Sequence, residues 1–142
     1  MCFGAKNNQF GNFNVPYGGK MGAVKLVHLY GYVSCDTRNP TYWAYWGCIN
    51  HPLVIGKVNV LITTSANEII LPPSQFISTF LKWSKIPGYN SISPELVLSS
   101  FSQPLTVNSG QQLRLWYAED WLNESEEDNG GTACCDVYGL YV

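Results

Sequence analysis

The chain has 142 residues, enough for one domain with a buried core, and no change of composition marks a second domain. Hydrophobic residues make up 46% and charged residues 13%, which excludes general disorder. The net charge of −2 argues against a nucleic-acid partner, because nucleic-acid binding relies on basic patches that neutralise phosphates.

The first part of the chain carries no targeting or membrane signal. Residues 1–20 contain no apolar core of a signal peptide, so we read the sequence as that of a mature protein. No stretch approaches the roughly eighteen consecutive apolar residues of a membrane span. Residues 1–22, rich in Gly and Asn, are expected to form an irregular arm, with an edge strand as an option.

Residues 23–142 are predicted to form the folded domain. Its first strand is predicted over residues 23–34, with a bulge at Gly31. His28 lies in this strand and is interpreted as a packed or hydrogen-bonded histidine, because no carboxylate or second histidine is near it in sequence.

Residues 41–48 hold four large aromatic side chains within five positions, including Trp43 and Trp46. Alternate residues of a strand face opposite sides, so these rings cannot all enter one core. Two interpretations remain open. The rings form a stacking platform for a sugar, or they pack between a sheet and a loop, and the second is favoured.

Further strands are predicted wherever short apolar or alternating runs lie between turn signals. They are residues 56–64, 69–71, 75–83, 95–100, 105–107, 113–117 and 137–142. Eight to ten short strands without a long amphipathic helix predict an all-β fold, a single antiparallel β-sandwich or jelly roll.

The acidic residues are concentrated near the end of the chain. Seven of the ten lie between the last two predicted strands or at their ends. They are Glu119, Asp120, Glu124, Glu126, Glu127, Asp128 and Asp136. Crowded carboxylates repel one another, so this loop is either solvated or ordered by a cation.

Calcium is the natural candidate for such a cation. It takes six to eight hard oxygen ligands, and the turn formed by residues 128–131 offers carboxylate, amide and backbone oxygens, including those of Asp128 and Asn129. Asp120 and Asp136, at the two strand ends, are candidates to complete the shell. The spacing matches no EF-hand loop, and a solvated loop that binds nothing remains the alternative.

Two features indicate an extracellular protein. Cys35 and Cys48 flank a short loop and are compatible with a disulfide in an oxidising compartment. One more bridge among the other three cysteines would leave a thiol that is free or that joins two chains into a homo-oligomer. Asn123 begins a sequon for N-glycosylation in the acidic loop.

Enzyme motifs are scarce in this sequence. It contains no G-x-S-x-G elbow, no H-E-x-x-H helix, no P-loop and no G-x-G-x-x-G, and two histidines are too few for a histidine-rich zinc site. Glu119 and Asp120 are adjacent, so on a strand they would face opposite sides and could not flank one glycosidic bond. A hydrolase that uses the loop acids is the weakest hypothesis, and no enzyme activity is expected.

Several short motifs occur in an order that resembles a known family. They are Ser34-Cys35-Asp36, Trp46-Gly47-Cys48, Leu71-Pro72-Pro73, residues 116–120, Asp128-Asn129-Gly130 and residues 135–138. The chain resembles a secreted domain of corals, sea anemones and other marine invertebrates, found in extracellular and skeletal matrix. That domain is similar to calcium-dependent, galactose-binding lectins of sea anemones. Ala118, where the pattern usually has Gly, and the extra thiol Cys134 depart from the family.

The resemblance implies a jelly-roll lectin that holds a galactose-type sugar at Ca²⁺ beside an aromatic ring. The implied metal ligands are Asp120, Glu126, Asp128 and Asn129, with Asp136 as a further candidate. The implied sugar-binding residues are Trp121, as the stacking ring, with Trp116, Tyr117, Trp43 and Glu119. Because single-site sugar affinity is usually weak, an oligomer would bind better through multivalency. The alternative is a structural matrix or biomineral-associated protein with an acidic calcium-binding loop.

Overall fold

The computed structural model describes residues 1–100 and 102–142, and its strands form two antiparallel sheets packed face to face. The strands of the described residues are β1 (Cys2–Gly4), β2 (Gly11–Asn14), β3 (Gly19–Ser34), β4 (Val60–Thr64), β5 (Ile69–Leu71), β6 (Glu95–Ser99), β7 (Leu105–Val107), β8 (Gln112–Tyr117) and β9 (Gly130–Tyr141). A 3₁₀ turn (Ser74–Phe76) and one short helix, α1 (Ala118–Leu122), complete the regular structure. The all-β sandwich predicted from the sequence is confirmed.

The larger sheet has the order β1-β9-β3-β6, and β7 pairs with the first residues of β3. The smaller sheet has the order β2-β8-β4-β5. β3 and β9 pair along the whole length of β9, from Met21 opposite Tyr141 to Ser34 opposite Gly130. Because this pairing is antiparallel, the end of β3 and the start of β9 lie side by side at one end of the sandwich.

The core fills the space between the two sheets. In β3, Val24 and Leu26 are buried while Lys25 between them reaches the outer face, where its ammonium group lies 5.3 Å from the centre of the Tyr138 ring. This is the period-two alternation of a strand with one buried face. The smaller sheet contributes apolar residues such as Ile62 and Leu115 to the same core.

Residues 1–22 differ from the irregular arm that the sequence suggested. They contain β1 and β2, each at the edge of a different sheet, and the expected boundary at residue 22 falls inside β3. The apolar residues Phe3 and Val15 explain this, since both are buried in the core between the sheets.

Two further details of the predicted strands are corrected. The pairing of β3 with β9 has two register shifts, one between Met21 and Ala23 and one between His28 and Tyr30, and neither falls at the expected position, Gly31. Residues 75–83 form no strand; the chain makes the 3₁₀ turn and then a loop in which Leu81 and Lys82 have φ angles of 48° and 58°. That left-handed backbone is incompatible with a strand, although the apolar alternation is present.

The structure contains two disulfide bonds. Cys35 pairs with Cys48 as expected, and Cys2 pairs with Cys134, which lies opposite it where β1 meets β9. The remaining thiol, Cys135, is buried. Burial raises the pKa of this thiol to about 11, so it is poorly suited to link two chains.

Within the described residues, no helix is both long and apolar enough to cross a membrane.

The two disulfides are expected to contribute unequally to stability. In the chain-entropy account, the bridge that closes 13 residues is worth about 3 kcal/mol and the one that closes 132 about 5 kcal/mol. Replacing both cysteines of each pair by alanine should therefore lower the free energy of unfolding more for Cys2–Cys134, as measured by urea titration of tryptophan fluorescence. Equal losses, or more than one reactive thiol in the unfolded, unreduced protein, would contradict this assignment.

Candidate functional site

The candidate site lies at the end of the sandwich where β3 ends and β9 begins. The loop after β3 runs beside the loop before β9, and the backbone N–H of Thr37 donates to the carbonyl oxygen of Asp128 at 2.9 Å. Residues 51–54 and 80–83 supply the other walls. Four segments that are distant in sequence therefore meet at one place.

These segments enclose a cavity of about 200 Å³. Its polar lining comes from Asp36, Arg38, Glu119, Ser125 and Asp128. Rings line it as well, namely His51, Phe80 and Trp83. Drug-sized ligands occupy roughly 300 Å³ or more, so this cavity suits a smaller polar molecule.

A larger cavity, of about 420 Å³, opens at the opposite end of the sandwich. Phe13, Tyr17, Met21 and Tyr138 are among its mostly apolar walls, and the described residues around it include no acidic or basic side chain. We assign the functional site to the smaller of these two cavities, because its lining combines charged groups with rings, whereas the described lining of the larger one holds no charged side chain.

Glu119 is the innermost acid of the site. It lies in α1, is only 4% exposed, and its Oε2 accepts a hydrogen bond from Trp83 Nε1 at 3.1 Å. Burial raises the pKa of Glu119 to about 7; the nearby charge of Asp128 adds to this, while hydrogen bonds from Trp83 and Asn129 oppose it. The carboxyl group therefore changes charge near neutral pH.

Asn59, the residue just before β4, holds the backbone of Glu119 in place. The backbone N–H of Ala118 donates to the Asn59 carbonyl oxygen at 2.8 Å, and that of Glu119 donates to Asn59 Oδ1 at 3.1 Å. Asn59 Nδ2 in turn donates to the carbonyl oxygen of Leu81 at 3.1 Å. One buried amide thus connects α1 to the loop that carries Phe80 and Trp83.

Asp36 and Asp128 lie at the mouth of the cavity, where both contact Arg38. Arg38 Nε and Nη2 donate to the two oxygens of Asp36 at 2.9 and 2.8 Å, and Nη2 lies 3.4 Å from Asp128 Oδ2. The hydrogen bonds from Arg38 lower the pKa of Asp36 to about 2. This carboxylate is therefore charged over the whole physiological range.

Asp120 and Glu126 point away from the cavity. The two oxygens of Asp120 accept hydrogen bonds from the backbone N–H groups of Asn8 and Gln9 at 3.0 and 3.2 Å, and Glu126 Oε2 lies 3.4 Å from the N–H of Asn7. Burial, together with the adjacent Glu126, raises the pKa of Asp120. The carboxylates of Asp120 and Glu126 hold the turn of residues 7–9 against α1 and the loop after it. They therefore do not face the cavity together with Asp128.

The other two predicted metal ligands, Asn129 and Asp136, do not lie together either. Asn129 is 1% exposed; its Nδ2 donates to the Ala5 carbonyl oxygen at 3.0 Å, and its Oδ1 has no partner among the described residues. Asp136 is exposed on β9 opposite Val27, roughly 20 Å along the strand from Gly130 at about 3.3 Å per residue. In the described part of the chain, no three His, Cys, Asp or Glu side chains are gathered closely enough to hold a metal ion.

The predicted sugar-binding rings lie elsewhere. Tyr117 is fully buried and its hydroxyl donates to the Gly47 carbonyl oxygen at 3.0 Å, so it cannot stack on a ligand. Trp116 and Trp121 pack on the outer side of the smaller sheet, and Trp121 Nε1 donates to the Asn67 carbonyl oxygen. The Trp43 ring packs on Gly131 so closely that a Cβ atom added at Gly131 would clash with the ring. Of the predicted sugar-binding residues, Glu119 alone lines the cavity.

Sequence reasoning missed Asp36, Arg38, Phe80 and Trp83. The first two lie within three residues after Cys35, so the disulfide was a usable signal for an ordered polar turn. Phe80 and Trp83 lie in residues 75–83, where the alternation of apolar residues predicts a strand. The charged Lys82, which lies between these two aromatic residues, was the available signal of a surface loop.

His28 is confirmed as a packed strand histidine. Its Nε2 lies 2.7 Å from the Gly31 carbonyl oxygen, and its ring stacks on Tyr45 with 3.6 Å between centroids. Trp46 is buried and donates from Nε1 to the Ser93 carbonyl oxygen at 2.8 Å, as the packing interpretation of the aromatic segment expects.

No family model matches the chain, and no curated protein matches it. Among solved structures, the chain is similar to AJLec from the sea anemone Anthopleura japonica, with 34% sequence identity and a TM-score of 0.89. The match covers 100% of this chain and 92% of AJLec. The similarity therefore includes both sheets and every loop around the cavity.

The buried carboxyl group of Glu119 should make stability depend on pH. Its folded pKa of about 7 lies above the usual value of 4.5 for a glutamate carboxyl group, so the folded state binds the proton more tightly and stability falls as pH rises from 4.5 through 7. Glu119→Gln keeps an acceptor for Trp83 and removes this cost. In chelator at pH 8 the variant should be the more stable protein, by at most about 3 kcal/mol, and at pH 5 the two should be similar.

The measurement is chemical unfolding at both pH values. Glu124→Gln, an exposed substitution with the same charge change, serves as the control and should show no such pH-dependent gain. Equal stability of Glu119→Gln and the parent protein at pH 8 would show that the carboxyl group pays no burial penalty.

Proposed function

Since the chain belongs to the family of the sea anemone lectin AJLec, we propose that it is a calcium-dependent lectin for galactose-type sugars. The observation that carries the proposal is a 34% identity that extends over the whole chain. Binding is proposed at the cavity between the loop after β3 and α1, with no catalytic step. The charged and aromatic lining of this cavity supports that choice.

The oxygen atoms around the cavity are of the kind that calcium binds. Glu119, Asp128 and Asp36 offer carboxylates, and Asn129 Oδ1 is a buried oxygen for which the described residues supply no donor. Because the three carboxylates are not gathered closely enough among the described residues to hold a metal ion, the proposal requires that they draw together when calcium binds. A bound calcium ion would supply coordination positions that vicinal sugar hydroxyls can fill instead of water.

The rings around the cavity support a sugar as the ligand. Phe80 is 48% exposed and presents an apolar surface at the rim, while Trp83 forms part of the buried wall. One face of galactose is apolar and packs well on an aromatic ring. Ser125 and His51 add polar groups for the sugar hydroxyls.

An extracellular location is part of the proposal. Two disulfides are compatible with an oxidising compartment. Asn123, the first residue of the sequon, is exposed just after α1, so it is accessible to glycosylation.

A structural role in extracellular matrix is the second candidate, and one observation favours it. The larger sheet carries exposed apolar side chains, with Tyr30 at 64%, Tyr32 at 53% and Leu140 at 51% exposure. Such a surface suits contacts with another protein. This role predicts calcium binding without sugar binding.

The lectin proposal predicts retention on galactose-agarose in calcium, with elution by free galactose or by chelator. Thermal unfolding gives an independent readout, because a ligand that binds only the folded state raises the melting temperature. Calcium should raise it, and galactose should raise it further while glucose does not. A calcium effect without any sugar effect would favour the matrix role, and no effect of either would refute both.

The position of the sugar is tested by Phe80→Ala. Loss of the exposed ring should weaken galactose binding about tenfold, as expected for one aromatic contact. Tyr17→Ala removes a ring of 72% exposure from the rim of the other cavity and serves as the matched control. If Tyr17→Ala loses binding and Phe80→Ala does not, the sugar binds at the opposite end of the sandwich.

A further inference from the structure

The second half of β9 is a sheet edge without a neighbouring strand. β1 pairs only with residues 132–134 of β9, and Met1 extends this pairing to Cys135, whose backbone N–H and carbonyl groups both bond to Met1 at 2.8 Å. Beyond that point β9 pairs with β3 on its other side and with no strand on this side, within the residues that the structure describes. Residues 136–141 therefore leave one edge of the larger sheet open.

The backbone groups of Val137 and Gly139 face this open edge. Successive residues of a strand direct their N–H and C=O groups to opposite edges, and residues 135–140 pair with residues 23–28 without a register shift. The groups of Cys135 point to the β1 side, so every second residue after it points the same way. Gly139 is exposed, as expected for a residue that no strand covers. These backbone groups are therefore in position to pair with an added strand.

This edge lacks the usual side chains that prevent strand pairing. Natural edge strands are commonly protected by charged residues, lysine above all, or by proline. Residues 137–142 contain no charged residue and no proline. Tyr138 and Leu140, on the outer face of the same segment, are 53% and 51% exposed. An open apolar edge without protection indicates a surface that a partner covers.

The larger cavity, of about 420 Å³, lies beside this edge, and Gly139 is part of its wall. Gly139 pairs with the buried Val24, so it faces the space between the sheets but has no side chain to fill that space. The atoms nearest to a Cβ added at Gly139 all belong to the flexible side chain of Met21. The described lining is mostly apolar and holds no charged side chain. The cavity therefore has room for a large apolar side chain from a partner.

We propose that an extended, uncharged peptide segment of another protein pairs with residues 137–141 as an added antiparallel strand and places an apolar side chain in this cavity. Directly opposed residues of two paired strands point to the same face, so the peptide residue opposite Gly139 faces the cavity. Main-chain hydrogen bonds supply affinity in this mode of binding, and the cavity supplies selectivity. The proposal is independent of sugar binding at the other end of the sandwich.

A second copy of this chain fits the edge less well than a separate peptide. Val137 and Tyr141 face inward and pack on the core of their own subunit. Two β9 strands paired edge to edge would therefore bring no side chain into either cavity. A separate peptide has no core of its own at this place, so its inward side chains are available. The absence of charged groups from the described lining selects against acidic and basic side chains, because a buried charge needs a partner.

The test measures peptide binding by fluorescence polarisation. The probe is a labelled peptide of about seven residues in which threonine alternates with valine and the central residue is phenylalanine. This peptide should bind, and a peptide with aspartate at the centre should bind at least about tenfold more weakly, because the cavity would then bury an unpaired charge. Methylation of the central amide nitrogen should abolish binding, whereas methylation of the next amide nitrogen should not, because adjacent amides face opposite edges.

Gly139→Pro tests the same edge from the side of the protein. Proline removes the N–H that faces the peptide, leaves the bonds to β3 in place and is tolerated on edge strands. Gly139→Ala is the matched control, because it adds a Cβ at the same position and keeps the N–H. The proline variant should bind the phenylalanine peptide about tenfold more weakly than the alanine variant. The melting temperature without peptide checks that both variants fold, and if the proline variant does not, the two methylated peptides decide.

Three results would overturn the proposal. The first is no binding of the phenylalanine peptide at about 1 mM. The second is equal binding of the phenylalanine and aspartate peptides, or an equal effect of the two methylations. The third is a parent protein that sediments as a dimer and does not bind the peptide, with a monomeric Gly139→Pro variant, since the edge then pairs with a second copy of this chain.

Discussion

The antiparallel pairing of β3 with β9 determines which loops meet around the cavity. It runs from Met21 opposite Tyr141 to Ser34 opposite Gly130, so the loops at that end of the two strands must lie side by side. The Cys35–Cys48 disulfide fixes the first of these loops, and the Thr37 to Asp128 hydrogen bond joins it to the second. The cavity exists because two long strands hold these loops at one edge of the sandwich.

Neighbouring acids perform different tasks in this site because their surroundings differ. Glu119 is buried against Trp83 and has a raised pKa, whereas Asp36 is paired with Arg38 and has a lowered one. Asp120 binds backbone N–H groups of the N-terminal turn and serves the fold. The position of α1 produces this division, since consecutive residues on a helix point in different directions. A local excess of acidic residues is therefore not in itself one binding site.

The aromatic residues divide in a similar way. Trp46, Trp83 and Tyr117 are buried and each donates a hydrogen bond, to Ser93, Glu119 and Gly47 respectively. Buried tryptophan and tyrosine usually need such a partner. Phe80 at the cavity rim and tyrosines on the outer face of the larger sheet are left as exposed rings. Most of the aromatic content thus stabilises the core, and few rings remain for a ligand.

Local sequence patterns were enough to predict the sandwich and the location of β5 and β7, because alternation and turn residues act over a few neighbouring positions. The spacing of Cys35 and Cys48 was compatible with the bridge that the structure contains. The sequence also located the acidic segment beside the end of β8. The tertiary structure was needed to show that Glu119 faces the cavity while Asp120 faces residues 7–9, and that Arg38 and Phe80 line the cavity. Those assignments depend on which distant loops meet after the sheets pair, and no local pattern carries that information. The alternation of residues 75–83 predicted a strand wrongly for the same reason, since the hydrogen bond of Leu81 with Asn59 and the bridge of Ile77 with Ser84 override the strand-like pattern.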